Sequence, residues 1–337
     1  MTAAGRQSIA PHSVWPAIVL TAGLGTRLRP LSLLCAKPAL PVAGVPLVGR
    51  ILRWLAASGV DSAVLNLHHL PASITAVVGD GTEFGVRVRY SWERTLLGSA
   101  GGPARALPLI GANQFFIVNG DTLTDVSLAA VAANHRRSGA KVTLALVPNP
   151  DPLHYGGVMV DEDGRVTGFT PRGPENKGLH FIGVQAVDAD VFATLDPDAP
   201  AETFNGIYGD MIARRPGSVR ASVSTAAFRD IGTAADYLDT CLDIARLEKS
   251  ADRLCGRGVS IGDGTRITNC VVWDDVRVGS GVSLDRSVVA GSVLIPDGAR
   301  YKRSVIRPLN GQVAEPDEKV IGNLLVSRID ARRSTAV

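Results

Sequence analysis

The chain has 337 residues, 45% of them hydrophobic, which is enough for a large folded core and excludes wholesale disorder. Its 35 basic and 32 acidic residues leave a formal charge of only +3, which argues against nucleic acid as the main partner. No apolar run approaches the roughly 18 residues of a membrane helix, the first 13 residues lack the apolar core of a signal peptide, and the four cysteines have no C-x-x-C spacing for structural zinc. A cytoplasmic protein with reduced thiols is the expectation.

In chain order, residues 1–14 read as a loose polar tail. Ala17–Leu20 is a short apolar run with β-branched residues and predicts a buried parallel strand. It runs into Ala22-Gly23-Leu24-Gly25-Thr26-Arg27-Leu28-Arg29-Pro30. Two glycines one residue apart allow a tight turn whose free N–H groups form an anion-binding concavity. Thr26 adds a hydroxyl donor, Arg27 a planar fork of donors and Lys37 a compact charge, together the equipment of a triphosphate site. The stretch is neither a dinucleotide fingerprint, because Leu28 stands at the third glycine position, nor a P-loop, because no lysine follows Gly25.

Leu47, Ile51, Leu52 and Leu55 then recur at helical spacing up to Gly59, and residues 63–67 form a second buried strand, which completes a βαβ unit. Pro71 starts a further helix, and residues 86–90 alternate as a half-buried strand. The adjacent His68 and His69 point apart on a strand end, which disfavours metal binding by the pair. Residues 96–102 are a second glycine-rich stretch, read as a loop that enters a helix through Pro103. Residues 115–118 form an apolar strand ending in Asn119-Gly120-Asp121, and a carboxylate at such a strand end lies where open α/β sheets bind ligands. Asp125 has a weaker claim to that ligand role and otherwise reads as a cap for the helix that follows. Strands are expected at 141–147 and from Tyr155-Gly156 to Val160, with a tight turn at Asp163-Gly164. Thr233 is the expected N-cap of a helix over 234–247, which leaves Asp230 free for chemistry.

From about Val259 the pattern changes. Ile261-Gly262-Asp263-Gly264, Val278-Gly279-Ser280-Gly281 and Ile295-Pro296-Asp297-Gly298 recur every 17 residues, as do Val271-Val272, Val288-Val289 and Val305-Ile306. Such fixed self-similarity means stacked coils.

The motifs Gly23-Leu24-Gly25-Thr26-Arg27-Leu28-Arg29-Pro30 and Lys37-Pro38-Ala39-Leu40-Pro41-Val42 together resemble the sugar-1-phosphate nucleotidyltransferases, the NDP-sugar pyrophosphorylases. Leu96-Leu97-Gly98-Ser99-Ala100-Gly101-Gly102 is similar to the element of that family that meets base and ribose, and Ala227-Phe228-Arg229-Asp230-Ile231-Gly232-Thr233 to its D-I-G-T motif. The resemblance implies a Rossmann-like domain with a mixed, mostly parallel sheet over 15–250, followed by a short left-handed parallel β-helix over 258–325. It implies Arg27, Lys37, Asp121 and Asp230 as catalytic residues, with Asp121 and Asp230 ligating Mg²⁺. Ala22, Gly23, Gly25, Thr26, Arg27, Gly98, Gly101 and Asp121 would bind the nucleotide. Gly156, Gly183, Glu175 and Lys177 would meet the sugar phosphate. The family's adjacent Glu-Lys pair is split here by Asn176, so Arg172 stands as an alternative cation and a solvated loop as an alternative reading of the segment; Tyr155-Gly156 reads equally as a hairpin entry.

The implied reaction joins a nucleoside triphosphate to a sugar 1-phosphate and releases pyrophosphate. The Leu-Gly-Ser-Ala-Gly-Gly form is most similar to mannose-1-phosphate guanylyltransferases, with hexose or heptose 1-phosphates as acceptors. Glucose-1-phosphate thymidylyl- or uridylyltransferases, and a non-catalytic regulatory homologue, are the alternatives. The exposed ends of a short solenoid lead to the expectation of a homo-oligomer through the β-helix.

Overall fold

A computed structural model describes residues 15–329; the predicted 1–14 tail lies outside the described residues. The central sheet contains β1 (Ala17–Leu20), β2 (Ser62–Leu67), β3 (Arg87–Trp92), β4 (Gln114–Asn119), β5 (Val142–Val147), β6 (His180–Asp188) and β7 (Val219–Val223), in the order β7-β5-β6-β4-β1-β2-β3. β1 pairs in parallel with β2 and β4, β2 with β3, and β5 with β7; β6 alone runs antiparallel, between β4 and β5. The chain steps outward from β1 to β3 and then returns to β1's other edge as β4. That reversal opens a crevice beyond the carboxyl ends of β1 and β4.

The sheet is covered on both faces. Alternate residues of β1 separate into two cores, Ala17 and Val19 on one side and Ile18 on the other. Helices α1 (Leu47–Ala57), α2 (Pro71–Val78), α4 (Leu128–Ser138) and α6 (Ala234–Leu247) contribute to the first core, and α3 (Gly98–Ile110) and α5 (Tyr208–Arg214) to the second. The amphipathic reading of α1 holds: Leu47, Ile51, Leu52 and Leu55 are buried, and the chain turns at Gly59 with φ +87°. Two readings are corrected. Helix α3 begins at Gly98, before Pro103, because its first amides donate to Ala201 O, from Ala100 N at 2.9 Å and Gly101 N at 3.2 Å. Asp125 is not the cap of α4; Ser127 Oγ accepts from Ala130 N, while Asp125 Oδ1 accepts from Ala227 N at 2.8 Å.

Beyond α6 the 17-residue period becomes three stacks of parallel strands. Ser260–Ile261, Arg277–Val278 and Leu294–Ile295 form one face, Arg266–Thr268, Ser283–Asp285 and Arg300–Lys302 a second, and Val271–Val272, Val288–Val289 and Ser304–Pro308 a third. Left-handed backbone at Asn269, Arg286 and Arg303, each 17 residues apart, turns one corner, and Gly264, Gly281 and Gly298 turn another. The register pairs Val271 with Val288 and Val288 with Val305, so the sequence repeat is the coil length. This is a parallel β-helix, capped by an antiparallel hairpin, Lys319–Ile321 with Leu324–Arg328.

The paired apolar residues of the third face have two separate tasks. Val272, Val289 and Ile306 fill the coil interior, while Val271, Val288 and Val305 point outward into the core that holds Leu28, Leu31 and Tyr237. The coil is therefore packed onto the α/β part. The contact is reinforced by Trp273 Nε1, which donates to Tyr237 Oη at 3.0 Å, whose own hydroxyl donates to Pro41 O at 2.6 Å.

Candidate active site

A cavity of about 400 Å³ lies at the crevice beyond β1, lined by Ala22, Gly23, Gly25, Thr26, Arg27 and Lys37, with Asp121 across from them. Its size is that of a small-ligand pocket. The turn after β1 is built by backbone geometry. Gly25 has φ +62°, and a Cβ there would stand 3.2 Å from Ser32 Cβ and 3.5 Å from Lys37 Cβ. Ser32 Oγ donates to Gly25 O at 2.8 Å and closes the turn. Gly23 faces open space. Short 3₁₀ turns at Thr26–Leu28 and Lys37–Ala39 then bring Arg27 and Lys37 to the same cavity.

Lys37 is almost fully buried, and its Nζ donates to Asp121 Oδ2 at 2.8 Å. Asp121 leaves the end of β4, and the short strand Thr122–Thr124 that follows pairs antiparallel with Phe228–Asp230 in a register that sets Asp230 opposite Thr122. Ile231 N donates to Asp121 O at 3.1 Å, so the two carboxylate-bearing segments are tied by their main chains. Burial pushes the Asp121 carboxyl upward, but the Lys37 ammonium, the hydrogen bond from it, Thr122 and Arg27 outweigh burial and hold it below the usual carboxylate range. Asp230 is raised, first by burial and then by repulsion from Asp121, against the pull of Lys37 and Arg27. One carboxylate is thus held charged, while burial and the charge of Asp121 hold its neighbour above the usual carboxylate range.

That donor set fits a hard divalent cation. Asp121, in the turn before Thr122–Thr124, and Asp230, on the strand paired with it, repel one another, and two hard oxygen donors so placed suit such an ion. Among the described residues no group of three or more His, Cys, Asp or Glu side chains is arranged to hold a metal alone. A site that completes its shell with water and substrate phosphates matches this arrangement.

The remaining predicted residues divide. Gly98 lines the cavity, with φ +75°. Gly101 is turned away, and a Cβ on it would meet Ala199 O at 2.7 Å. Gly183 lies at an irregularity in the β6–β5 pairing, with φ +77°, and a Cβ there would stand 3.0 Å from Asn119 Cβ, so it packs against a cavity-lining residue. Gly156 follows Tyr155, whose ring contacts His180 at 4.2 Å and Phe228 at 5.8 Å between centroids. Burial and the neighbouring His154 push His180 down to about 4, so its ring is neutral at physiological pH. Tyr155, Phe228 and Asp230 line a second cleft of about 400 Å³ beside the first.

Glu175 and Lys177 are both exposed, and neither lines the cavity. The residue between them is the buried one. Asn176 Nδ2 donates to Tyr155 O at 2.8 Å, and its Oδ1 accepts from Thr170 Oγ1 and Gly178 N. The inserted asparagine anchors the loop and turns its charged neighbours to solvent. Arg172 is exposed as well. His68 Nδ1 and His69 Nε2 bond separately to Glu93 O and Ser32 O, so the two rings face different partners.

The sequence reading missed Asn66, a buried residue at the end of β2. Its Oδ1 accepts from Thr21 N at 2.7 Å, and its Nδ2 donates to the buried Glu93 Oε1 at 2.7 Å, while Glu93 Oε2 accepts from Leu97 N at 3.0 Å. This network ties the turn after β1 to the start of α3, and Gly102 leaves room for it, since a Cβ there would be 2.8 Å from both Asn66 Nδ2 and Glu93 Oε1. The available signal was a lone amide inside an otherwise apolar strand, Ala63-Val64-Leu65-Asn66-Leu67.

Comparison with known proteins agrees with this architecture. The Nucleotidyl transferase family model matches residues 16–246. Mannose-1-phosphate guanylyltransferase of Mycobacterium tuberculosis is 32% identical over 302 residues, covering 80% of this chain and 82% of that protein. N-acetylmuramate alpha-1-phosphate uridylyltransferase of Neisseria meningitidis is 35% identical over 220 residues, 64% of this chain and 93% of that protein. The crystal structure of HddC from Yersinia pseudotuberculosis, also determined with GMP-PN, superposes with a TM-score of 0.60 at 24% identity over 68% of this chain and 100% of its own, a likeness of fold. No helix among the described residues is long and apolar enough to cross a membrane. The chain belongs to the nucleotidyl transferase family and is an enzyme of its sugar-1-phosphate nucleotidyltransferase branch.

Proposed function

We propose that the enzyme transfers a guanylyl group from GTP to mannose 1-phosphate or a related hexose or heptose 1-phosphate, with Mg²⁺ as the cofactor. The observation that carries the reading is the convergence of the glycine turn, Arg27, Lys37 and Asp121 on one cavity at the end of β1. The similarity to mannose-1-phosphate guanylyltransferases supports the base and the sugar.

In this reading the sugar phosphate oxygen attacks the α-phosphorus in line, and the bond to the departing pyrophosphate breaks. The nucleophile is already ionised, so catalysis consists of positioning and charge neutralisation. Arg27 holds the departing pyrophosphate, and Lys37, kept in place by Asp121, neutralises the α-phosphoryl group. Asp121 and Asp230 would hold Mg²⁺, which supplies charge neutralisation on the triphosphate when bound. Gly156 and Gly183 are the glycines this reading sets beside the sugar, Gly183 through its close packing on the cavity-lining Asn119. Glu175 and Lys177 would meet the sugar phosphate, or Arg172 would supply the cation in place of Lys177; all three are exposed outside the cavity, so either role requires the loop to move toward bound substrate.

We also propose a homo-oligomer formed through the β-helix. Ile261 at its first coil and Val320 and Ile321 on its terminal strand are exposed apolar residues that favour such contact. Size-exclusion chromatography of the full chain tests this, and a monomeric elution volume refutes it.

Pyrophosphate release measured with GTP, ATP, UTP and dTTP against several hexose 1-phosphates tests the substrate assignment. Turnover is expected with GTP and a mannose-type phosphate. Preference for UTP or dTTP with glucose 1-phosphate selects the uridylyl- or thymidylyltransferase reading. No release with any pair selects the regulatory homologue.

A further inference from the structure

The turn that lines the nucleotide cavity continues into Arg29, and Arg29 does not end in the α/β part. Its Nη1 donates to Glu315 Oε2 at 3.2 Å, a contact between residues 286 positions apart. Glu315 belongs to the segment between the last strand of the third coil face and the terminal hairpin, and that segment has an unusual anchor. Arg307 and Glu318 are paired with both side chains fully buried. Arg307 Nε and Nη2 donate to the two oxygens of Glu318 at 2.7 and 2.5 Å, Nη2 also donates to Val313 O at 3.4 Å, and Nη1 donates to Gln312 Oε1. Glu318 Oε2 accepts from Glu315 N at 2.8 Å, and Glu318 N donates to Glu315 O at 2.9 Å. A buried pair of this kind gives little net stability, yet removing one partner is costly, so it serves to hold one arrangement. The arrangement it holds presents the Glu315 carboxylate to Arg29.

The same side of the coil is packed against the rest of that turn. Gly291, with φ +77°, lies where a Cβ would be 3.9 Å from Leu34 Cδ1, and Val288 and Val305 share a core with Leu28 and Leu31. The apolar contacts fix the back of the segment 26–34, and the ion pair fixes its front, two residues beyond Arg27.

We propose that Glu315, presented by the buried Arg307–Glu318 pair, is a positioning residue through which the β-helix holds the phosphate-binding turn in its ligand-ready form. It acts through Arg29 on Thr26 and Arg27 and does not itself touch substrate. The proposal rests on the reading of the cavity as a nucleoside triphosphate site, and the test separates the two.

Hydrogen exchange of the amides of residues 26–34 is measured in the wild type, Glu315→Gln, Glu315→Arg and the exchanged pair Arg29→Glu with Glu315→Arg. Exchange there is expected to quicken in Glu315→Gln, more so in Glu315→Arg, and to slow again in the exchanged pair, with the melting temperature of Glu315→Gln unchanged. In steady-state assays Glu315→Gln is expected to raise KM for the nucleoside triphosphate about 2–5-fold, the range of a partly exposed ion pair, and to leave KM for the sugar phosphate unchanged. Wild-type exchange in Glu315→Arg, or an equal rise in both KM values, overturns the positioning role. Altered exchange in a protein that turns over no nucleotide keeps the positioning role and refutes the substrate reading instead.

Discussion

At the scale of single residues, the site is a balance of charges. Lys37 is committed to Asp121, and Asp230 is left raised beside them. The linkage signs differ for the two acids. Asp121, held low, stabilises the fold above its unfolded pKa, and that contribution is lost as the pH falls through its lowered value. Asp230, held high, costs stability as the pH rises from the ordinary carboxylate range through its raised value. Asp230→Asn is therefore expected to raise the melting temperature of metal-free protein at neutral pH, with the gain fading below about pH 4. Calorimetry at a series of pH values checks this, and equal melting of the two proteins at neutral pH contradicts it. The same variant is expected to lose activity. Arg27→Ala is expected to lose about 100-fold or more in kcat, the usual effect of removing a transition-state contact, with unchanged circular dichroism. Retained turnover would remove Arg27 from the mechanism.

At the scale of elements, each functional group is delivered by a short local device. The glycine turn after β1 was legible because Gly23, Gly25, Arg27 and Lys37 stand close together in the chain. The capping of α6 was legible for the same reason. Thr233 Oγ1 accepts from Asp236 N at 3.2 Å, and Asp236 Oδ2 accepts from Thr233 N at 2.9 Å, a reciprocal capping box. Thr233→Ala is expected to cost about 1 kcal/mol, read as a lower midpoint in urea. Because Asp236 Oδ2 also lies 3.3 Å from where a Gly232 Cβ would sit, beside Arg27 Nη1, the cap adjoins the site. An unchanged midpoint would show that Asp236 holds the turn alone. What the local pattern could not reveal was which way the 172–177 loop faces. Alternation there is decided by the single buried amide of Asn176, which accepts from Thr170 six residues before it and donates to Tyr155 O 21 residues before it, across a strand pair.

At the scale of the molecule, the α/β part and the β-helix share a core. Val288 is fully buried in the core that the two parts share. The wild type is expected to unfold in one calorimetric transition, and Val288→Asp, which places an unpaired charge in that joint, is expected to separate the transitions or to lower the first. A single unshifted transition in the variant would show that the joint carries no cooperativity. This coupling also gives the coil its route to the phosphate-binding turn.

By itself, the sequence determined the elements whose causes are local or periodic. Short apolar runs specified the strands, two spaced glycines specified the anion turn, and a 17-residue repeat specified the coils, because hydrophobic periodicity and backbone freedom act within a few residues. Only the tertiary structure decided that Asp121 and Asp230 share one charge environment, that Asn66 and Glu93 brace the turn from beneath, that the first valine of each pair faces outward, and that Glu315 reaches Arg29. Those features depend on pairings between residues tens to hundreds of positions apart, and such contacts are set by sheet order and domain packing, which no local pattern encodes.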